Sequence, residues 1–512
     1  MTKAQIKPEV KDRLLAVALF ITGVAYYLSY FNYNLRLLDE GYLLDPVMRV
    51  MSGQIPYRDF HHYYSPGSFY LFAVLFKVTG ADTGVVRIFW ALLHSVTAII
   101  AYLVARRFVS PAFAFASALM FIAAPGPWHK SFFVCLPFFC LWSYLKYYEK
   151  RSQLWLFLSA FASVAAFFFR QDVGVYGGIV FIAVLLAFRG AVVDRPLRVA
   201  LLFALWSVIL ALPVLAYFYA HHALGDFFED VLFAGFKGTK AMDFPFPAFF
   251  PLYSGSIMST LRDKLFYLPF VVYTLGVLLL VFKWGSLKKK GMTVPMTALL
   301  LFGMLLLLQL KNRTDSAHLW QVMPFVYVMS AILCYVPFAV SGKSALAGMA
   351  VLGSVMAVIL SVALTDPASG SIALKSGCDT LLDLPRAKIY LPHDRVAEIK
   401  GAVKFIQENS PENSYVLALP DCPVLYFLAD RKNPICFEAL LLGTGSEVDE
   451  QQRVIREIES SDVDIAVLHA NEVDNFIPER RFVNHSPIVY SYLRSHYREA
   501  GREGSFIFLK KR

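Results

Sequence analysis

Apolar runs of membrane-spanning length recur along residues 13–364 of this 512-residue chain, and a bilayer is the solvent that can cover so many. They lie near 13–31, 85–105, 108–125, 131–148, 153–169, 173–189, 199–219, 265–283, 294–310, 319–340 and 344–364, eleven in all. A span needs about 20 apolar residues with some latitude for tilt, and several of these runs are short for it. With 57% hydrophobic and 17% charged residues, the chain lacks the polar surface that a soluble globule of its size requires. The expected fold class is a polytopic α-helical membrane protein. Lys3, Lys7, Lys11 and Arg13 ahead of Leu14 to Phe31 imitate a signal peptide. The run is too long for one and has no small-x-small cleavage site, so it reads as a retained first helix.

The net charge of +10 would suggest nucleic acid for a soluble protein. Here the excess falls between apolar spans, where Lys and Arg set orientation. A cytoplasmic N-terminus puts Arg106 and Arg107, "KYYEKR" (146–151), Arg189 with Arg195 and Arg198, "KWGSLKKK" (283–290) and Lys343 on the inner side. The outer side then receives the mixed-charge loops 32–84 and 220–264 and the tail. The expectation is a multi-pass protein of the cytoplasmic (inner) membrane, N-terminus in, C-terminus out. "SFYLFAVLFKVTG" (68–80) is too short to span and suits a helix lying in the interface; counting it as a span would reverse every later loop.

From about residue 365 the composition changes. Residues 395–410 and 449–462 have helical periodicity, while 415–419, 465–470 and 506–511 read as strands. That alternation predicts a small α/β domain with a largely parallel sheet, and a division into a membrane module, 1–364, and an extracytoplasmic domain, 365–512. Of six cysteines, none has metal-ligand spacing. The tail has no GxGxxG, Walker loop or GxSxG.

Charged side chains beside spans are costly and mark function. The segment "NLRLLDEGYLLDPVMRVMSGQIPYRDFHHYYSPG" (34–67) follows the first span directly. Its acidic pair, Asp39 and Glu40, leads into a short helix ending "VMSGQIPYRDF", a His/Tyr turn closed by Pro-Gly, an interfacial helix, and a span ending in Arg-Arg. Over residues 14–125 this order resembles the GT-C superfamily of membrane glycosyltransferases. The resemblance is to the branch of lipid A aminoarabinose transferases, protein O-mannosyltransferases and bacterial relatives. It implies a GT-C type fold of about eleven transmembrane helices with outer-face interfacial helices and a small C-terminal α/β domain. It also implies sugar transfer from a polyprenyl-phosphate-linked donor to a glycolipid, polysaccharide or protein acceptor on the non-cytoplasmic side. Asp39 matches the catalytic acidic position of that superfamily, with Glu40 as its neighbour.

The residues support that chemistry on their own terms. A lipid phosphate is a competent leaving group, so the second carboxyl that a hydrolase uses as acid is not needed. One carboxylate base and cations on the phosphate are sufficient, with inversion at the sugar carbon. Asp39 is the expected base; Glu40 positions it or binds an acceptor group. Candidate phosphate cations are Arg313 in "KNRTDSAH", Arg170 in "RQD" and Lys130 in "PWHKS", Arg313 being capable of a bidentate contact. Asp315 and His318 beside Arg313, and Asp59, His61, His62, Tyr63 and Tyr64 in the first outer loop, are candidate substrate contacts. Adjacent histidines chelate poorly by themselves, and a divalent ion held with Asp39 stays open. The loop 221–251, with Asp226, Glu229, Asp230, Lys237 and Lys240 among phenylalanines, suits a flap over a lipid-linked substrate. The alternative is a transporter or flippase, for which two similar halves and broken midplane helices are the usual marks.

Overall fold

A computed structural model describes residues 8–234, 244–253, 255–340, 345–367, 369–470 and 477–512. Each of the eleven apolar runs is helical. In chain order the first nine helices are α1 (Pro8–Leu28), α2 (Leu37–Met51), α3 (Gly67–Thr79), α4 (Thr83–Ala105), α5 (Pro111–Ala123), α6 (Ser131–Lys150), α7 (Gln153–Phe169), α8 (Gln171–Ala187) and α9 (Pro196–Ala220). Leu268–Phe282, Thr293–Asn312, Ser316–Val340 and Ala345–Ala363 follow. Among the described residues five helices are long and apolar enough to cross a bilayer, and a sixth is formed if Ile257–Leu265 and Leu268–Phe282, bent by 47°, count as one span. Helices α5, α7 and α8 are apolar but of 13 to 17 residues. The protein is therefore multi-pass. α3 has 13 residues, about 20 Å at 1.5 Å per residue, too short to cross the hydrocarbon.

Two compact units divide the chain. The first comprises Met1–Phe31, Ile88–Pro213 and Phe244–Leu374; the second comprises Asn32–Arg87, Val214–Asp243 and Lys375–Arg512. In the first unit small residues let helices approach: Ser159, Ala160, Ser163 and Ala166 form the buried face of α7, and a Cβ on Gly177 of α8 would lie 2.5 Å from the Tyr144 hydroxyl of α6. Backbone proximity replaces the hydrophobic effect as the source of cohesion where lipid is the solvent. Helix Ser316–Val340 is the most enclosed of the long helices, its Trp320, Tyr327 and Phe325 almost wholly buried.

In the second unit the tail forms two sheets. Strands β1 (Thr380–Leu384) and β2 (Ala387–Leu391) make an antiparallel hairpin. Strands β3 (Leu417–Leu419), β4 (Ile465–His469), β5 (Tyr497–Glu503) and β6 (Phe506–Lys511) stand in the order β3-β4-β6-β5. The expected largely parallel sheet is corrected: only β3–β4 is parallel, and β4–β6 and β6–β5 are antiparallel. The reason is local. Gly504 takes a φ of 53° in the two-residue connection between β5 and β6, and so short a turn can join only antiparallel strands.

The first outer segment belongs to the same unit. Asn34 N–H donates to Tyr390 O at 2.9 Å, Tyr390 N–H donates to Asn32 O at 2.8 Å, and the rings of Tyr33 and Tyr390 stack at 5.1 Å. Helix α2 packs on helix Val424–Ala429 so closely that a Cβ on Gly41 would meet Val424 N at 2.4 Å. Gly41→Val is expected to force the two helices apart at a cost of about 1–3 kcal/mol, read as a lower thermal unfolding temperature of the detergent-solubilised protein.

Candidate functional site

The acidic pair opens α2, where the positive end of the helix favours carboxylates. Its members have different surroundings. Glu40 is held by Arg87 at the start of α4, with Nη2 2.6 and 2.8 Å from its two carboxylate oxygens. Arg87 is nearly inaccessible and also donates to the carbonyls of Tyr33 and Asn34. Asp39 accepts from Arg36 Nη1 at 2.7 Å, and its side chain stays 33% exposed. Of the two carboxylates Asp39 is the more exposed, 33% against 21%, while Glu40 is anchored by Arg87. Neither Arg36 nor Arg87 stood out in the sequence. Arg87 lies 47 residues from its partner, and no local pattern joins them.

Deeper on α2, Asp45 accepts from Asn433 Nδ2 at 3.1 Å, and Arg49 donates to Ile435 O at 2.9 Å and lies 3.7 Å from Glu438. Burial, with Asp45 beside it, pushes the Glu438 carboxyl well up. This buried group joins α2 to the tail and was also missed.

The His/Tyr turn splits by role. His62 is buried. Its Nε2 faces Tyr42 O at 2.9 Å and its Nδ1 accepts the Tyr64 N–H at 3.1 Å. Burial pulls it down to about 4, so it is neutral with both nitrogens in use. His61 remains partly open. Its Nδ1 contacts both oxygens of Asp230 at 2.9 and 3.0 Å, Arg453 Nη1 approaches its Nε2 at 3.3 Å, and Phe437 stacks on it at 5.2 Å. Tyr63 hydrogen-bonds Thr444, and Tyr64 O accepts from the Tyr57 hydroxyl at 2.9 Å. Asp59 is bound by Arg58 Nε and Nη2, both at 2.8 Å, and by Ile55 N–H at 2.7 Å; the Arg58 hydrogen bond holds its carboxyl below the usual range. Of the 221–251 loop, Asp226, Glu229 and Asp230 are described, whereas Lys237 and Lys240 lie outside the described residues. Among the described residues no three His, Cys, Asp or Glu side chains gather as metal ligands.

The three basic turns fall in the first unit and are linked. Arg170 pairs with Asp172 at 2.8 Å, and Asp172 accepts from Gln309 Nε2 at 2.7 Å, just before the Arg313 turn. Arg313 pairs with Asp315 at 2.7 Å and lies 5.3 Å over the Phe244 ring. Asp315 also contacts His318 Nδ1 at 2.8 Å and accepts its N–H at 2.9 Å. Burial would raise the Asp315 carboxyl, but the His318 hydrogen bonds and the Arg313 charge hold it well below the usual range. Lys130 ends the turn Trp128–Lys130, is 8% exposed, and is close enough for its charge to act on His318. Among the described residues no carboxylate pairs with its ammonium.

Burial draws His61 down, but the Asp230 hydrogen bond and charge outweigh it and the net shift is upward. A group raised on folding contributes stability that is complete below its unfolded pKa, near 6.5, and is lost as pH rises through the folded value. The His61–Asp230 contact is thus strongest in mild acid. Asp230→Asn is expected to lower the His61 titration midpoint, measured by NMR of ring-labelled histidine.

No family model and no curated protein matches this chain. Solved structures do. ArnT from Cupriavidus metallidurans bound to undecaprenyl phosphate matches with a TM-score of 0.59 and 14% identity over 97% of each chain. The archaeal oligosaccharyltransferase AglB from Archaeoglobus fulgidus, in complex with an inhibitory peptide and a dolichol-phosphate, matches with a TM-score of 0.50 and 12% identity over 97% of this chain and 74% of its own. Likeness at such identity is one of fold. The chain therefore shares the fold of these two solved structures.

Proposed function

We propose that the protein is an inverting glycosyltransferase that moves a sugar from a polyprenyl-phosphate-linked donor to a lipid or polysaccharide acceptor. The reaction takes place on the outer face of the cytoplasmic membrane, with residues 1–364 as the transfer module and residues 365–512 as an extracytoplasmic domain. The observation that carries the reading is Lys130. A nearly buried ammonium that pairs with no carboxylate among the described residues is expensive, and a phosphate group is the anion that would offset that cost beside Arg313 and Arg170. Those two arginines are held in place by Asp315 and Asp172, and guanidinium groups so positioned suit the recognition of a phosphate. Asp39, the more open carboxylate of its pair, takes the acceptor hydroxyl proton; Glu40 keeps the first turn of α2 in place through Arg87. His61 is the member of the histidine pair with room for a sugar or phosphate contact. The ligands named for the two solved structures, undecaprenyl phosphate and dolichol-phosphate, agree with a lipid phosphate donor. Transfer between two membrane-bound partners also suits the glycosyltransferase fold better than transport does.

Asp39→Asn is expected to lower the transfer rate by about 10² to 10⁴ in vesicles supplied with polyprenyl-phosphate sugar; an unchanged rate would remove the base. Lys130→Ala is expected to raise the apparent KM for donor at least about tenfold, the size of one charge-assisted contact, and Lys130→Arg to restore part of it. Arg313→Ala acts in the same direction. Donor dependence that none of them alters would mean that the phosphate binds elsewhere.

A further inference from the structure

Arg189 follows α8, and Arg195 and Arg198 lie on either side of the start of α9; all three are exposed, with a single acid, Asp194, among them. A second loop, after Leu268–Phe282, carries Lys283, Lys288, Lys289 and Lys290, exposed as well and without any acid. Among the described residues none of these cations pairs with a carboxylate. Other cations between spans behave differently: Arg106 is bound to Asp12, and Arg107 and Lys146 share Glu149.

The two loops are joined. Phe188, at the end of α8, stacks on Trp284 with centroids 5.9 Å apart and planes 17° from parallel. Leu287 is fully buried beneath the lysines, which seats the short helix Trp284–Lys289. Arg151, from the loop after α6, donates to Ala191 O at 2.7 Å and adds a third basic segment. Beside these cations in the chain lie exposed apolar side chains, Val281 and Phe282 before the lysines and Leu197 and Leu201 next to Arg198, and Trp284 is 43% exposed.

Setting orientation needs only a count of cations. It does not require that they be unpaired, drawn from separate loops, and fixed by an aromatic stack at the border of an apolar belt. We infer that this surface is a binding platform for the phosphodiester headgroups of anionic phospholipids. Cations within a Debye length of a negative leaflet each add to the attraction. Trp284 at the boundary is the amphipathic ring that a headgroup layer accepts, and the apolar rim receives the acyl chains. The platform lies wholly in the first unit and does not depend on the sugar-transfer reading.

The test uses the full-length protein in detergent, with native mass spectrometry after addition of phosphatidylglycerol, phosphatidylcholine or inorganic phosphate alone. The wild type is expected to retain phosphatidylglycerol over phosphatidylcholine and to retain no inorganic phosphate. The variant K288Q/K289Q/K290Q, altered only at exposed positions, is expected to lose that preference by about tenfold or more. Trp284→Ala is expected to weaken it by releasing the stack. Lys146→Gln removes a cation already paired with Glu149 and is expected to leave the preference intact. Equal retention of both lipids by the wild type, an unchanged preference in the triple variant, or an equal loss in Lys146→Gln would overturn the inference. Retention of free phosphate at the same level would overturn it too, because the acyl chains would then contribute nothing. Thermal unfolding in detergent, expected to be the same for all variants, separates lost binding from lost fold.

Discussion

An ionised group at the edge of a bilayer persists when something nearby holds its charge, and this requirement organises the parts of the molecule that carry chemistry. Arg87 illustrates it. Nearly enclosed at the start of an apolar helix, it is held by the Glu40 carboxylate and two backbone carbonyls. In return it holds the first turn of α2, where Asp39 is the more exposed of the two acids. The same rule appears in the first unit, where Arg170–Asp172 and Arg313–Asp315 each place a guanidinium by means of a carboxylate two residues away. Lys130, for which no carboxylate partner occurs among the described residues, departs from the rule, and the proposed donor phosphate would restore it.

The second unit braces α2 along its length. One end of the helix is bonded through Glu40 and Arg87. Its middle lies against Val424 at a distance that only glycine at position 41 permits, and its C-terminal half is pinned by Asp45 to Asn433 and by Arg49 to Ile435. A loop between spans would ordinarily be among the most mobile segments of a membrane protein. Here nearly four hundred residues of intervening chain return to brace it, the Asp45–Asn433 contact spanning 388 positions. The tail therefore braces the helix that carries Asp39.

How much of this was legible follows from the range of each interaction. The helices were visible because burial in lipid leaves long apolar runs, and β3, β4 and β6 because their residues are largely buried. β5, reading Tyr-Arg-Glu-Ala-Gly-Arg-Glu and mostly exposed, carries no apolar signal, and β1 and β2, of five residues each, are too short to stand out although β2 alternates in burial. With β5 unseen, the antiparallel half of the sheet was unseen as well. At the site, the candidate residues could be named because charge beside a span is rare, but their partners could not. His61 and Asp230 are 169 positions apart, and only the fold brings them together. The sequence also gave no means of distinguishing His61 from His62, since the difference is that backbone groups occupy both nitrogens of one ring.

The proposed reaction rests on one carboxylate acting as a base in a single displacement, with no second acid to share the work and no sugar held covalently on the protein. The stereochemical course reports on that directly. Proton NMR of the product formed from a polyprenyl-phosphate sugar of known anomeric configuration is predicted to show the opposite configuration at the transferred carbon. Retention of configuration would mean that the sugar passes through a protein-bound intermediate, and would contradict the assignment of Asp39 as a base.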